Sequence, residues 1–205
     1  MAGGADPNGD SSSSGARLRL ETPRLELVAS DPALAPQALE FFERNAAHFA
    51  PWDPPTPAAF YTLRAQVERL VKGQQQFRAG EAFRYWMRLA DEPTRIVGQI
   101  HFSSIVRGSF QSALLGYGID KSVEGRGLMH EAVQAGIAEM FSSRVQLHRL
   151  QAAHLPENLR SAAVLARLGF EREGLARKYL YIAGAWRDHV INALLNDALA
   201  APPVS

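Results

Sequence analysis

An α/β (α+β) fold, one domain with a mixed, mostly antiparallel central sheet flanked by helices, is what this sequence predicts, and three observations predict it. Three apolar segments between residues 83 and 119, rich in aromatic and β-branched side chains, follow one another through short turns, the mark of an antiparallel meander. An amphipathic run of helical length then separates the last of them from a strand-like segment at 148–155, which can therefore return parallel through a right-handed crossover. Two more strand-like stretches, 173–181 and 186–195, flank Ala183-Gly184 and read as a closing hairpin.

Bulk properties narrow the function classes. The 205 residues suffice for one ordinary domain with a substantial core, and no repeat or second domain is visible. No cysteine is present, which excludes disulfides, thiol catalysis and cysteine-zinc sites and suits a reducing, cytoplasmic setting. A net charge of +1 gives no electrostatic footprint for nucleic acid, and the apolar runs are too short to span a bilayer. Residues 1–16 lack the basic start and apolar core of a signal peptide and are expected to form a disordered tail. The domain is expected over 17–197, with a C-terminal tail at 198–205.

In chain order, residues 17–20 and 25–28 alternate and read as one strand bent near Thr22-Pro23. Ser30-Asp31-Pro32 offers a cap with proline just inside, opening a helix that carries Leu34, Ala38, Leu39, Phe41, Phe42 and Phe49 and stops before Pro51. The Pro-rich loop that follows places Trp52 either as a buried plug or as a pocket wall. A second helix is expected over 57–75, with Phe60, Leu63, Val67, Leu70 and Val71 on its buried face. Strands over 83–89, 96–106 and 113–119 come next, the second after an Asp91-Glu92-Pro93 turn. Beyond the crossover strand, Asn158 is placed to cap a short helix over 159–168 that Gly169 ends.

The stretch that carries chemistry is Glu124-Gly125-Arg126-Gly127-Leu128-Met129, where the strand ending at Ile119 becomes an amphipathic helix running to about Ser142. The first N–H groups of such a helix lack intrahelical partners, and the macrodipole favours an anion there. Glycines let the backbone approach closely, so the turn can cradle a pyrophosphate. A tight turn with no ligand would use the same pattern. No Gly-Lys-Ser/Thr is present for a nucleotide P-loop, and no third glycine completes the dinucleotide fingerprint.

With Asn158 and Ser161 three residues apart and Leu168-Gly169-Phe170 after them, the chain resembles the GNAT N-acetyltransferase superfamily over about residues 17–197. That family's pyrophosphate turn reads Gln/Arg-x-x-Gly-x-Gly/Ala. Gly127 matches the central glycine, whereas Glu124 stands where Gln or Arg is usual and Met129 where Gly or Ala is usual. Ala47-His48-Phe49-Ala50-Pro51-Trp52-Asp53-Pro54, Val106-Arg107-Gly108-Ser109-Phe110, Leu115-Gly116-Tyr117 and Trp186-Arg187-Asp188-His189 are similar to the RimJ/RimL type. RimJ-type enzymes acetylate the N-terminal alanine of a small-subunit ribosomal protein.

The resemblance implies acetyl-CoA as co-substrate, no metal, and a sheet splayed between its fourth and fifth strands to admit the pantetheine arm. Backbone N–H groups of Tyr117, Gly118 and Ile119 would face that arm, and Gly125, Arg126, Gly127, Leu128 and Met129 would hold the pyrophosphate. A carboxylate at Glu124 is unfavourable there unless it points away. Many relatives carry a tyrosine seven residues after the motif asparagine as acid for the thiolate; that position is Leu165 here, leaving Ser161 on the helix capped by Asn158. His154, His101 and His189 are candidate bases, since imidazole titrates near neutrality, and water is the alternative. Trp52, Arg107, Tyr179 and Asp188 are candidates for holding the acceptor. The acceptor implied is a protein N-terminus, that of a ribosomal protein beginning with alanine, with no nucleic-acid or membrane partner and a monomer or weak homodimer. A small-molecule amine as acceptor, or a CoA-binding module with little catalysis, are the competing readings.

Overall fold

The computed structural model describes residues 16–203; the tail expected over 1–16 thus lies outside the described residues except for Ala16, as do residues 204 and 205. The chain opens with a hairpin of β1 (Arg19–Glu21) and β2 (Leu25–Ala29), Arg19 opposite Val28. The single bent strand expected here is therefore two strands. Thr22 closes a four-residue turn on Leu25, its N–H donating to the Leu25 carbonyl at 2.9 Å while its hydroxyl accepts from the Leu25 N–H at 3.0 Å. Pro23 takes the second position, where its fixed φ suits a turn better than a strand.

Asp31 caps a 3-10 turn, accepting from Ala33 N, and α1 (Ala35–Phe49) follows as expected. The second helix differs. A 3-10 turn at Ala58–Phe60 comes first, and α2 (Leu63–Ala79) starts only after Thr62, whose hydroxyl accepts from Ala65 N. Leu63, Val67 and Val71, expected inside, are 50%, 37% and 37% exposed; Leu70 is buried as expected, together with Gln66 and Phe77. The Gln66 amide nitrogen donates to the Phe60 carbonyl at 2.7 Å, which satisfies one end of this buried side chain.

Strands β3 (Phe83–Leu89), β4 (Glu92–Val106) and β5 (Ser112–Ile119) form the meander. Its first turn is Ala90-Asp91, so Glu92 and Pro93 already belong to β4, where the register with β3 shifts. After β5 come a 3-10 turn (Lys121–Val123), α3 (Leu128–Met140), β6 (Arg149–His154) and α4 (Leu159–Arg167). The hairpin of β7 (Glu171–Ile182) and β8 (Ala185–Leu195) closes the fold. The eight strands run in the order β1-β2-β3-β4-β5-β6-β8-β7, antiparallel throughout except β5 against β6. Helices α1 and α2 bury Phe41, Phe42 and Leu70 against Trp86 and Ile96 on one face. On the other, α3 lies so close that a Cβ on Gly136 would sit 2.6 Å from Ile100 Cδ1.

Candidate active site

The seam between β5 and β6 is short. Residues Ser112, Ala113, Leu114 and Leu115 pair with Arg149, Leu150, Gln151 and Ala152, and there the pairing stops, although β5 continues to Ile119 and β6 to His154. On the side facing β6, the backbone groups of residues 116–119 are left without ladder partners. A cleft of about 1090 Å³ occupies the gap, bounded by Gly116, Tyr117, Gly118 and Ile119 on one wall and by Ala153, His154, Asn158 and Ser161 on the other. The splay thus lies where expected; it falls between the fifth and sixth strands because the opening hairpin counts twice.

One end of the cleft is the glycine turn. Gly125 and Gly127 have φ of +73° and +75°, the left-handed region that a side chain disfavours. A Cβ on Gly125 would meet nothing within 4 Å, and one on Gly127 only Arg24 Nη2 at 3.6 Å, so the concave face of the turn is open. Gly127 caps α3 with no side-chain hydrogen bond, leaving the first N–H groups of a 13-residue helix for an anion. Arg24 braces the turn from outside, donating to the Arg126 carbonyl at 2.9 Å and pairing with Glu131 at 2.6 Å. The Arg126 side chain is exposed.

Glu124 does not face this cradle uncompensated. Its carboxylate meets Arg160 Nη1 of α4 at 2.6 Å and His48 Nε2 of α1 at 3.3 Å, so its charge is engaged on both oxygens. The helix start with no side-chain cap, the two left-handed glycines and the bound-up carboxylate fit a pyrophosphate.

Across the cleft, Asn158 Oδ1 accepts from Ser161 N at 3.1 Å, the capping bond expected of it. Ser161 Oγ then lies 2.7 Å from the Tyr117 hydroxyl. Burial pushes the Tyr117 pKa up to about 12, against a hydrogen bond with Ser161 that lowers it, so the phenol keeps its proton at neutral pH. Leu165, where many relatives have tyrosine, is 1% exposed in the core, and a phenol there would have no polar partner to reach. Tyr117, read from the sequence only as a backbone contact, thus brings a hydroxyl to Ser161 from β5. The alternation of Leu115 and Tyr117 on one face of the strand was the available signal.

The histidines separate. His101 lines the cleft, but burial and the charges of Arg84 and Arg69 pull its pKa down to about 3, leaving a neutral and weakly basic imidazole. That corrects its reading as a base tuned near neutrality. His154 is 8% exposed, and its Nδ1 lies 2.8 Å from the Leu155 carbonyl. A carbonyl only accepts, so Nδ1 carries a hydrogen, and in the neutral ring Nε2 is the atom with the lone pair. His189 lines the cleft with Nδ1 3.1 Å from the Arg187 carbonyl and its ring 5.4 Å from that of Tyr179.

Trp52 and Tyr179 both line the cleft, Trp52 at 36% exposure. The other two expected acceptor residues do not line it. Arg107 donates to the Val145 carbonyl at 2.5 Å and to Gln111 Oε1 at 3.3 Å, clasping the joined end of β5 and β6 rather than the splayed one. Asp188 accepts from Lys178 N at 2.8 Å across a β7 irregularity where Lys178 has φ of 50°. Strand alternation turns Asp188 away when it turns His189 in.

Comparison with known proteins agrees with this geometry. Residues 24–171 match the acetyltransferase (GNAT) domain family. The chain belongs to that family and is an acyltransferase that uses acetyl-CoA. It is 38% identical over 178 residues to the ribosomal protein uS5-alanine N-acetyltransferase of Escherichia coli, spanning 87% of this chain and 91% of the relative. The crystal structure of the ribosomal-protein-S5-alanine acetyltransferase of Vibrio fischeri superposes with a TM-score of 0.85 at 36% identity, covering 89% of this chain and 99% of that one. Mycobacterium smegmatis RimJ in complex with CoA-disulfide gives 0.79 at 30%, covering 87% and 85%.

Proposed function

We propose that this chain acetylates the N-terminal α-amino group of an alanine-starting ribosomal protein in the cytoplasm. The observation that carries the reading is that one continuous cleft is lined by the glycine turn, by the splayed ends of β5 and β6, and by Trp52, Tyr179 and His189. A cleft of this size has room for the end of a polypeptide beside the pantetheine arm, and the Escherichia coli relative bears the matching activity in its name. Acetyl-CoA, when bound, supplies the acetyl group as a thioester.

Gly125 and Gly127, with the N–H groups of Leu128 and Met129, hold the pyrophosphate. The free N–H groups among Tyr117, Gly118 and Ile119 offer hydrogen bonds to the arm and to the carbonyl oxygen on which charge develops. Ser161, held by Asn158 and Tyr117, supplies a hydroxyl for the leaving sulfur. His154 offers the Nε2 lone pair as one route for the amine's proton, with water as the other. Acetyl transfer to an alanine-starting peptide, measured against free amino acids and polyamines, tests the reading. Preferential turnover of the peptide supports it; faster turnover of any small amine overturns it.

A further inference from the structure

A second cavity, of about 360 Å³, lies under α2 on the sheet face opposite α3 and shares His101 and Ser103 with the active cleft. Its other walls include Arg69 and Lys72 from α2 and Arg84 from β3. Three cations thus line one small space, where the single carboxylate is that of exposed Glu81.

Among the described residues none of these cations makes an ion pair. Arg84 donates only to the Gln99 side-chain oxygen. Arg69 lies over the Phe42, Phe60 and Trp86 rings at 4.8, 5.5 and 5.4 Å, and its Nη1 is shielded from solvent with no hydrogen-bond acceptor. Burial draws the Arg69 pKa down to about 10, and burial with the Arg69 charge draws Arg84 well below the usual guanidinium range. Two guanidiniums crowded in a low-dielectric space without a counter-charge are costly, and the cost is relieved by an anion. Aromatic stacking accounts for the position of Arg69 but leaves its Nη1 hydrogens unmatched.

We infer that this cavity is a subsite of the acceptor channel that takes a carboxylate from the second to fourth residue of the acceptor chain. The location sets that range. Arg84 stands opposite His101, and His101 opposite Gly116 on the cleft wall, so the pocket lies two strand spacings, about 10 Å, from the reacting strand. An extended peptide advances about 3.3 Å per residue, and an acidic side chain adds its own reach. A guanidinium-carboxylate pair fits this pocket better than a lysine-only contact, because the Arg84 fork lines the cavity while Arg69, its Nη1 shielded from solvent, adds its charge.

The inference rests on the proposed acetylation of a protein N-terminus, and two measurements keep the two apart. In the first, alanine-starting hexapeptides carrying Glu at position 2, 3 or 4 are compared with their Gln counterparts. One Glu peptide is expected to show kcat/KM about 10-fold or more above its Gln twin, mostly through KM. Arg84→Gln should bring that peptide down to the level of its twin. Equal rates at all three positions, or discrimination that survives Arg84→Gln, overturn the inference. If Arg84→Gln does not fold, Lys72→Ala, on the exposed side of α2, is read in its place and should shrink the preference about three-fold.

The second measurement needs no acceptor. Glutarate is titrated into the full chain at fixed ionic strength, with neutral glutaramide as control. Saturable binding of glutarate alone is expected, and its absence overturns the pocket even where no peptide is acetylated. Glutarate binding together with peptides that show no Glu preference assigns the pocket to a free anion and also overturns the inference.

Discussion

At Glu124 a carboxylate opens the anion-binding turn, and its ion pair with Arg160 and its contact with His48 explain how it is tolerated. Arg160 is 78% exposed and gives up little by pairing, while His48 fixes the second oxygen from α1. Glu124→Gln should therefore leave CoA affinity equal or a few-fold higher, measured by calorimetry, because Arg160 becomes free for phosphate. Gly127→Glu should abolish binding, since it puts a side chain at φ +75° and a negative charge over the helix start; undiminished affinity would refute the cradle. At Ser161, alanine should lower kcat and kcat/KM alike by about 10- to 100-fold with CoA binding near normal, the scale of a lost oxyanion-type donor. Tyr117→Phe should cost less, and the double variant should cost less than the product of the two, because the hydroxyls act as one unit 2.7 Å apart. The capping asparagine and the glycine turn could be placed from spacing, while Ser161 was named from the family resemblance. The hydroxyl of Tyr117 was not, because it meets Ser161 across 44 residues of chain.

Elements carry the next layer. Asp120, 1% exposed, ends β5 and caps the 3-10 turn through Ser122, and it pairs with Arg44 of α1 at 2.6 Å and Arg95 of β4 at 3.2 Å. It thereby fixes the approach to the glycine turn from three elements. Burial alone would raise its pKa, but hydrogen bonds from Ser122 and Arg44 outweigh that and hold the carboxyl far below 3.8. A depressed folded pKa means stability present above the unfolded value and lost as pH falls below it. Acid titration of folding should therefore show a loss beginning below about pH 4 that Asp120→Asn removes. At neutral pH Asp120→Ala should cost about 2 kcal/mol, read from urea unfolding, since it removes the buried carboxylate that Arg44 and Arg95 share while each keeps another partner. Strand and helix order was readable because apolar period and turn residues agree through most of the chain. It failed at the opening hairpin and on α2, where a side-chain-closed turn and a late Thr62 cap reset the pattern within a few residues. Arg107 and Asp188 were misplaced for a related reason: a motif places a residue on a strand, but its neighbours decide which end or face it serves.

For the whole molecule, the sheet is continuous in order yet uneven in joining. Helices α1, α2 and α3 lie with β1 to β5, α4 lies with the β6, β8 and β7 group, and four residues of β5 against four of β6 are the sheet's only seam between them. A ligand seated in the gap bridges both walls, so CoA at 100 times its Kd should stabilise the fold by about 2.7 kcal/mol, seen as a higher Tm. Amide hydrogen exchange should slow most at residues 116–119 and 153–154, and uniform slowing would count against a bridging ligand. Seen as a mechanical object, the protein is two plates whose backbones are welded along a short edge near Arg107 and linked at the other by side chains, Tyr117 to Ser161 and Glu124 to Arg160. Pulled from its two ends, it should yield first at that weld, and the filled cleft would act as the rivet that moves the breaking point elsewhere.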